Sequence, residues 1–161
     1  MIKILHAADF HLDSAFHGLT PEQASSRRQE QRHLVEELID LCQSQKCDLI
    51  LLAGDLFDSD RAYTDTIDLL IRNFSRCPVP IFIAPGNHDF YTPGSPYQTA
   101  AWPENVHIFT SPHVQTIALP ALDCLVSGAA FTTPRSQSML ENFSADKSAK
   151  YHLMVLHGEV D

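Results

Sequence analysis

Four apolar runs, Ile2-Lys3-Ile4-Leu5, Leu49-Ile50-Leu51-Leu52, Val79-Pro80-Ile81-Phe82-Ile83 and Leu153-Met154-Val155-Leu156, each give way within a few residues to a polar cluster. Three of the runs are almost continuously hydrophobic, as expected of strands buried on both faces in a parallel sheet. The clusters behind them are Asp9-Phe10-His11, Gly54-Asp55-Leu56-Phe57-Asp58, Gly86-Asn87-His88-Asp89 and His157-Gly158. Open α/β sheets bind ligands beyond the carboxyl ends of their strands. The placement therefore predicts that folding gathers carboxylates, an amide and imidazoles from distant parts of the chain into one cleft.

The intervening segments agree with this reading. Thr20-Pro21-Glu22-Gln23 supplies a Thr N-cap, a Pro at the first helical position and a Gln three residues after the cap, which predicts a helix running to about Lys46. Within it Leu34, Val35, Leu38, Ile39, Leu41 and Cys42 recur at helical spacing, while Arg27, Arg28, Glu30, Arg32, Glu36 and Glu37 face water. A second helix, from about Tyr63 to Ser75, buries Ile67, Leu70, Ile71 and Phe74, and Cys77-Pro78-Val79-Pro80 closes the connection to the next strand. The first half is thus a parallel β-α-β-α-β unit of the α/β class. After the Pro/Gly-rich loop Tyr91–Tyr97, short alternating strands are predicted near Val106–Phe109, Val114–Leu119 and Leu122–Val126, then a helix around Arg135–Phe143 before the last strand.

At 161 residues and 44% hydrophobic content the chain suits one domain, residues 1–161, with a sizeable core. No repeat or linker divides it. Eleven basic against twenty acidic residues, a formal charge of −9, disfavour a broad basic surface that tracks a nucleic-acid backbone. Divalent cations in an acidic cleft would reverse that sign locally. The opening residues lack the apolar length of a signal peptide or membrane span, so the expected location is cytoplasmic, with no membrane association. Cys42, Cys47, Cys77 and Cys124 form no C-x-x-C pair and are expected to be reduced, structural thiols.

An Asp and a His separated by one residue past a strand offer a hard oxygen and an imidazole nitrogen to one cleft, a mixture that suits Mn, Fe or Zn better than Ca or Mg. A carboxylate such as Asp55 can bridge two cations about 3.5–4 Å apart, the spacing that clamps a phosphoryl group. Asn87 adds a neutral oxygen and His157 a further nitrogen. His88 is placed to give a proton to a leaving oxygen, with Asp58 holding its ring. Taken singly, Asp-x-His and the Gly-Asp and Gly-Asn dipeptides are ordinary loop chemistry. Only their ordered recurrence at strand ends points to a site. His6, His17, His33, His107, His113 and His152 lack such companions and are assigned structural or surface roles, although His17 and Arg61 are placed for phosphate contact at the cleft mouth. Tyr91, Tyr97 and Trp102 are expected to anchor the loop beside the site rather than to stack on a base.

D-x-H, G-D-x-x-D and G-N-H-D in this order resemble the calcineurin-like metallophosphoesterase family over nearly the whole chain. The resemblance implies an αββα sandwich with a two-metal centre. It places Asp9, His11 and Asp55 at one metal, Asp55, Asn87 and His157 at the other, and makes His88 the proton donor. The stretch Leu5-His6-Ala7-Ala8-Asp9-Phe10-His11-Leu12-Asp13-Ser14 and Gly54–Asp58 are further similar to the SbcD-like DNA repair exonuclease branch. That similarity implies manganese-dependent hydrolysis of DNA phosphodiesters and a coiled-coil ATPase partner. The family's closing G-H-x-H is absent, and His157 is the last histidine. A sandwich incomplete at its C-terminus is therefore expected, with exposed edges that favour a homodimer. Rival readings are a phosphomonoesterase or cyclic-nucleotide phosphodiesterase using the same centre, and a non-catalytic scaffold, which would have no need of His88 or Asp55.

Overall fold

The computed structural model describes residues 1–141 and 143–158. Its elements are β1 (Ile4–Ala7), α1 (Pro21–Gln45), β2 (Leu49–Ala53), α2 (Thr64–Ser75), β3 (Ile81–Ala84), α3 (Pro96–Thr99), β4 (Val106–Ile108), β5 (Gln115–Leu119), β6 (Cys124–Gly128) and β7 (Tyr151–Val155). Strands β1 to β4 form a four-stranded sheet in sequence order, every pair parallel. The remaining three form a second sheet in which β6 pairs antiparallel with β5 and parallel with β7.

Alternation along the apolar runs explains why they are continuous. Ile50, Leu52, Ile81 and Ile83 face the helices and pack with Val35, Ile39, Leu70 and Phe74. Leu49, Leu51, Ala53, Phe82 and Ala84 face the second sheet and pack with Phe109, Cys124, Val126 and Val155. A strand covered on both faces has no position for a polar side chain. Helices, parallel sheet and mixed sheet make three of the four expected layers among the described residues.

Helix α1 starts as its sequence dictates. The Thr20 hydroxyl accepts from the Gln23 amide, and the Gln23 side chain accepts from the Thr20 amide, a reciprocal cap. At its far end Lys46 turns left-handed and the Cys47 amide bonds the Cys42 carbonyl at 3.0 Å, which folds Cys47 back against Cys42. Cys77 closes the cluster, and burial, followed by the neighbouring Cys77 and Cys47, pushes the Cys42 thiol up to about 12. All four thiols are free and buried. Helix α2 is anchored from a distance: Asp13 accepts from the Thr66 hydroxyl at 2.6 Å, the Tyr63 amide at 2.8 Å and Arg32 at 3.0 Å. That carboxylate also opposes the positive end of the α2 dipole.

Three expectations fail. The last apolar run, as β7, joins the second sheet rather than the parallel one, because a run of apolar residues records burial but not which sheet supplies the neighbour. Residues 135–141 and 143 form bends, turns and irregular backbone instead of a helix, and Asn142 lies outside the described residues. There the Thr133 and Ser136 hydroxyls bond the carbonyls of Arg135 and Gln137, in competition with helical pairing. The loop after Asp89 contains the short α3. Trp102 and Tyr97 do anchor that loop: the indole donates to the Pro96 carbonyl at 3.2 Å, and its ring stacks with Phe74 and Tyr97. No helix among the described residues is long and apolar enough to cross a membrane.

Candidate metal centre

Strands β1, β2 and β3 stop level with one another, Ala7 opposite Leu52 and Ala53 opposite Ala84, so the loops behind them leave from one rim. Those loops are sharply bent. Asp9, His11 and Asp55 take φ of 56°, 47° and 50°, and Gly54 81°, a conformation that costs a residue with a Cβ about 1–3 kcal/mol. Backbone bonds between the first two loops hold it: Asp9 to Gly54 at 3.1 Å, His11 to Asp55 at 2.9 Å, Leu12 to Leu56 at 2.9 Å, and Asp58 back to Leu12 at 3.0 Å. From α1, the Gln31 amide spans the Phe10 and His11 carbonyls at 3.0 and 3.1 Å. Nothing in the sequence marks Gln31, which lies among other polar residues of a helix.

Asp55 sits at the middle, 3% exposed. Its Oδ1 accepts the His88 amide at 3.0 Å. Two imidazoles approach its other oxygen, His157 Nε2 at 3.4 Å and His11 Nε2 at 3.7 Å. The partners of each ring settle its tautomer. His157 Nδ1 lies 3.0 Å from the Ala53 carbonyl and His11 Nδ1 3.1 Å from the Asp58 carboxylate, and both oxygens can only accept. In each neutral ring the proton therefore belongs on Nδ1, and the bare Nε2 faces Asp55 Oδ2, which is itself an acceptor. Acceptors turned on one another call for a cation between them. This donor set fits divalent metal.

The donor atoms fall into two groups, His11, Asp55 and His88, and Asp9, Asp55 and His157, each lying within 4.8 Å of one another. Asn87 Oδ1 stands 2.9 Å from His157 Nε2. All five ligand candidates and His88 thus come to one rim, with Asp55 common to both groups. Asp9 groups with His157 about Asp55, and His11 with His88. Asp58 plays a different part from that expected: its carboxylate holds His11, and only its backbone carbonyl meets His88 Nδ1, at 3.3 Å. The Asp58-to-Leu12 amide bond explains the change, because it sets Asp58 against the first loop rather than the third. A carboxylate behind a ligand imidazole fixes the ring and raises its basicity.

Sequence reasoning gives no role to Asp89, which is 1% exposed. It accepts from the Gly86 amide at 2.7 Å, the Phe57 amide at 3.1 Å and the Tyr97 hydroxyl. The second and third loops are locked together through this one carboxylate. Burial raises its pKa above the ordinary carboxylate range, while its three donors pull the other way. Gly86 is itself obligatory, as a Cβ there would lie 2.1 Å from Asp55 Oδ1. A Cβ on Gly54 would meet the His157 ring at 2.3 Å. The cleft above has a volume of about 740 Å³, and Phe131 and Pro134 form its far wall. His17 and Arg61 are exposed and outside its lining.

A buried carboxylate shared by two donor groups at the carboxyl rim of a parallel sheet is the arrangement of a candidate dimetal centre. Residues 2–160 match the family model described as calcineurin-like phosphoesterase, and the chain belongs to that family, whose fold, with these donor groups, implies divalent metal ions. Its relatives include an uncharacterized metallophosphoesterase, YhaO, of Bacillus subtilis, 32% identical across 98% of this chain and 40% of that protein. Another is the SbcD component of the nuclease SbcCD of Staphylococcus saprophyticus, 29% identical across 55% of this chain and 23% of that protein. The chain therefore spans less than half the length of either relative. A dimetal phosphatase from Danio rerio has the same fold, with a TM-score of 0.51 at 12% identity over 80% of this chain and 43% of that one.

Proposed function

We propose that this chain carries the catalytic centre of a two-metal phosphodiesterase that hydrolyses DNA at or near its ends. The observation that supports it most is the sharing of Asp55 by both donor groups, which is the arrangement a pair of cations requires. The choice of DNA rests on the similarity to the staphylococcal nuclease component and on the SbcD-like first motif. Asp9, His11, Asp55, Asn87 and His157 are the ligands in this reading, and manganese the metal. Two such cations supply Lewis-acid activation of the phosphoester and of water. Gln31, Asp58 and Asp89 keep the ligand loops in place. His88 donates a hydrogen bond from Nδ1 to the Asp58 carbonyl, which leaves Nε2 to hold a proton and deliver it to the leaving oxygen. A cytoplasmic location, a coiled-coil ATPase partner and a homodimer belong to the same proposal.

The test is manganese-dependent release of nucleotides from DNA by the full-length protein. Asp55→Ala is expected to abolish it, and His88→Ala to slow it by about 10²–10⁴-fold. Turnover of p-nitrophenyl phosphate with none of bis-(p-nitrophenyl) phosphate or DNA would contradict the proposal. Unchanged DNA cleavage in the Asp55 variant would do so as well.

A further inference from the structure

A second recess of about 350 Å³ opens beside the metal cleft, lined by His113, Thr132, Arg135, Gln137, Ser138 and Glu141 among others. It shares a wall with the cleft: Phe131 and Pro134 line the cleft, Thr132 and Arg135 the recess. The wall is fixed at its base. The Phe131 amide bonds the Pro85 carbonyl at 3.0 Å, its carbonyl accepts from Tyr91 at 2.7 Å, and the Ala130 amide bonds Ser111 at 2.8 Å. These bonds tie it to the loops after β3 and β4, so both openings lie on the same rim of the parallel sheet. We infer that this recess, through Arg135, holds a phosphate of the DNA strand a short distance from the one being cut.

Three observations carry the inference, which rests on the function proposed above. The recess presents hydroxyls, an amide, an imidazole and the Arg135 guanidinium, donors that recognise phosphate oxygens, against one carboxylate, Glu141. Arg28, Arg61, Arg72 and Arg135 have no carboxylate partner among the described residues, unlike Arg27, Arg32 and Arg76, and of these four Arg135 is the one that lines this recess. On a chain of formal charge −9, a guanidinium beside the cleft that is held in no ion pair is where a second phosphate gains most. Geometry sets the reach. Phe131 and Arg135 are four residues apart, at most about 14 Å of extended backbone, and a strand advances about 3.4 Å per nucleotide. That span is a few nucleotides, so the held phosphate belongs to the same short stretch of strand as the one being cut.

A polymeric substrate should then be distinguished from a small diester by length. With manganese and the full-length protein, KM is measured for oligodeoxythymidylates from dimer to octamer and for bis-(p-nitrophenyl) phosphate. KM should fall with length until the recess is filled. Arg135→Ala should flatten that fall, lowering kcat/KM for the octamer about fivefold relative to the small diester, and should reduce the salt slope of octamer KM by about 0.7. Arg135→Lys should keep the slope. An Arg135→Ala enzyme with the length dependence and slope of the parent overturns the inference while leaving the nuclease reading intact. A parent that splits the small diester and no oligomer overturns both.

Discussion

Asp55 has almost no freedom. Its backbone is left-handed, one oxygen is held by the His88 amide, and Gly86 lies against that oxygen so closely that a methyl group has no room. Gly86→Ala should therefore displace the carboxylate as well as strain the loop. A loss of about 1–3 kcal/mol in urea unfolding is expected, together with weakened manganese binding in calorimetry. A variant of parental stability and affinity would show that the contact yields. Asp58 acts one step removed, through the His11 ring. Asp58→Ala should weaken manganese binding by about 10- to 100-fold with little change in unfolding, since its carboxylate is partly exposed. Tyr97→Phe removes one donor from the buried Asp89 and should cost about 1–3 kcal/mol of stability, read by the same denaturant titration.

Much of the architecture is legible in the sequence because it is local. Thr20 and Gln23 cap α1 as their spacing requires, Tyr63 and Ser75 bound α2, and the parallel strands deliver their clusters to one rim. The misses involve partners far apart in sequence. His157 reaches the site from the second sheet, whose pairing with the first depends on the packing of Phe82 and Phe109 rather than on any motif. Gln31, Asp13 and Asp89 matter for what they bond across loops, and no spacing rule records that. Arg135 falls in a segment whose pattern predicts a helix, where hydroxyl-to-carbonyl bonds hold turns instead. The thiols at the end of α1 are buried as their spacing suggests, and that burial makes a prediction of its own. Cys42 has a folded pKa raised from 9.0 to about 12, so its protonated form favours the folded state. That stability is complete below pH 9 and is lost as pH climbs from about 9 towards 12. Aromatic disulfide reagents should modify none of the four thiols rapidly in the native protein at neutral pH; fast reaction of Cys42 would contradict its burial.

The molecule brings carboxylates and imidazoles from three loops of one sheet and the end of a strand in another to a single point, on a chain with twenty acidic and eleven basic residues. Such convergence opposes folding until a cation fills it. At a hundred times its dissociation constant, manganese should stabilise the chain by about 2.7 kcal/mol, raising Tm by about 5–10 °C, and EDTA should reverse the rise. No shift in Tm would mean that the rim is assembled without metal and gains nothing from it. The central claim, that one carboxylate serves two cations, is tested most directly by anomalous diffraction at the manganese edge from crystals grown with the metal. Two peaks about 3.5–4 Å apart, one on either side of Asp55, are expected. A single peak, or peaks away from Asp55, would contradict the account.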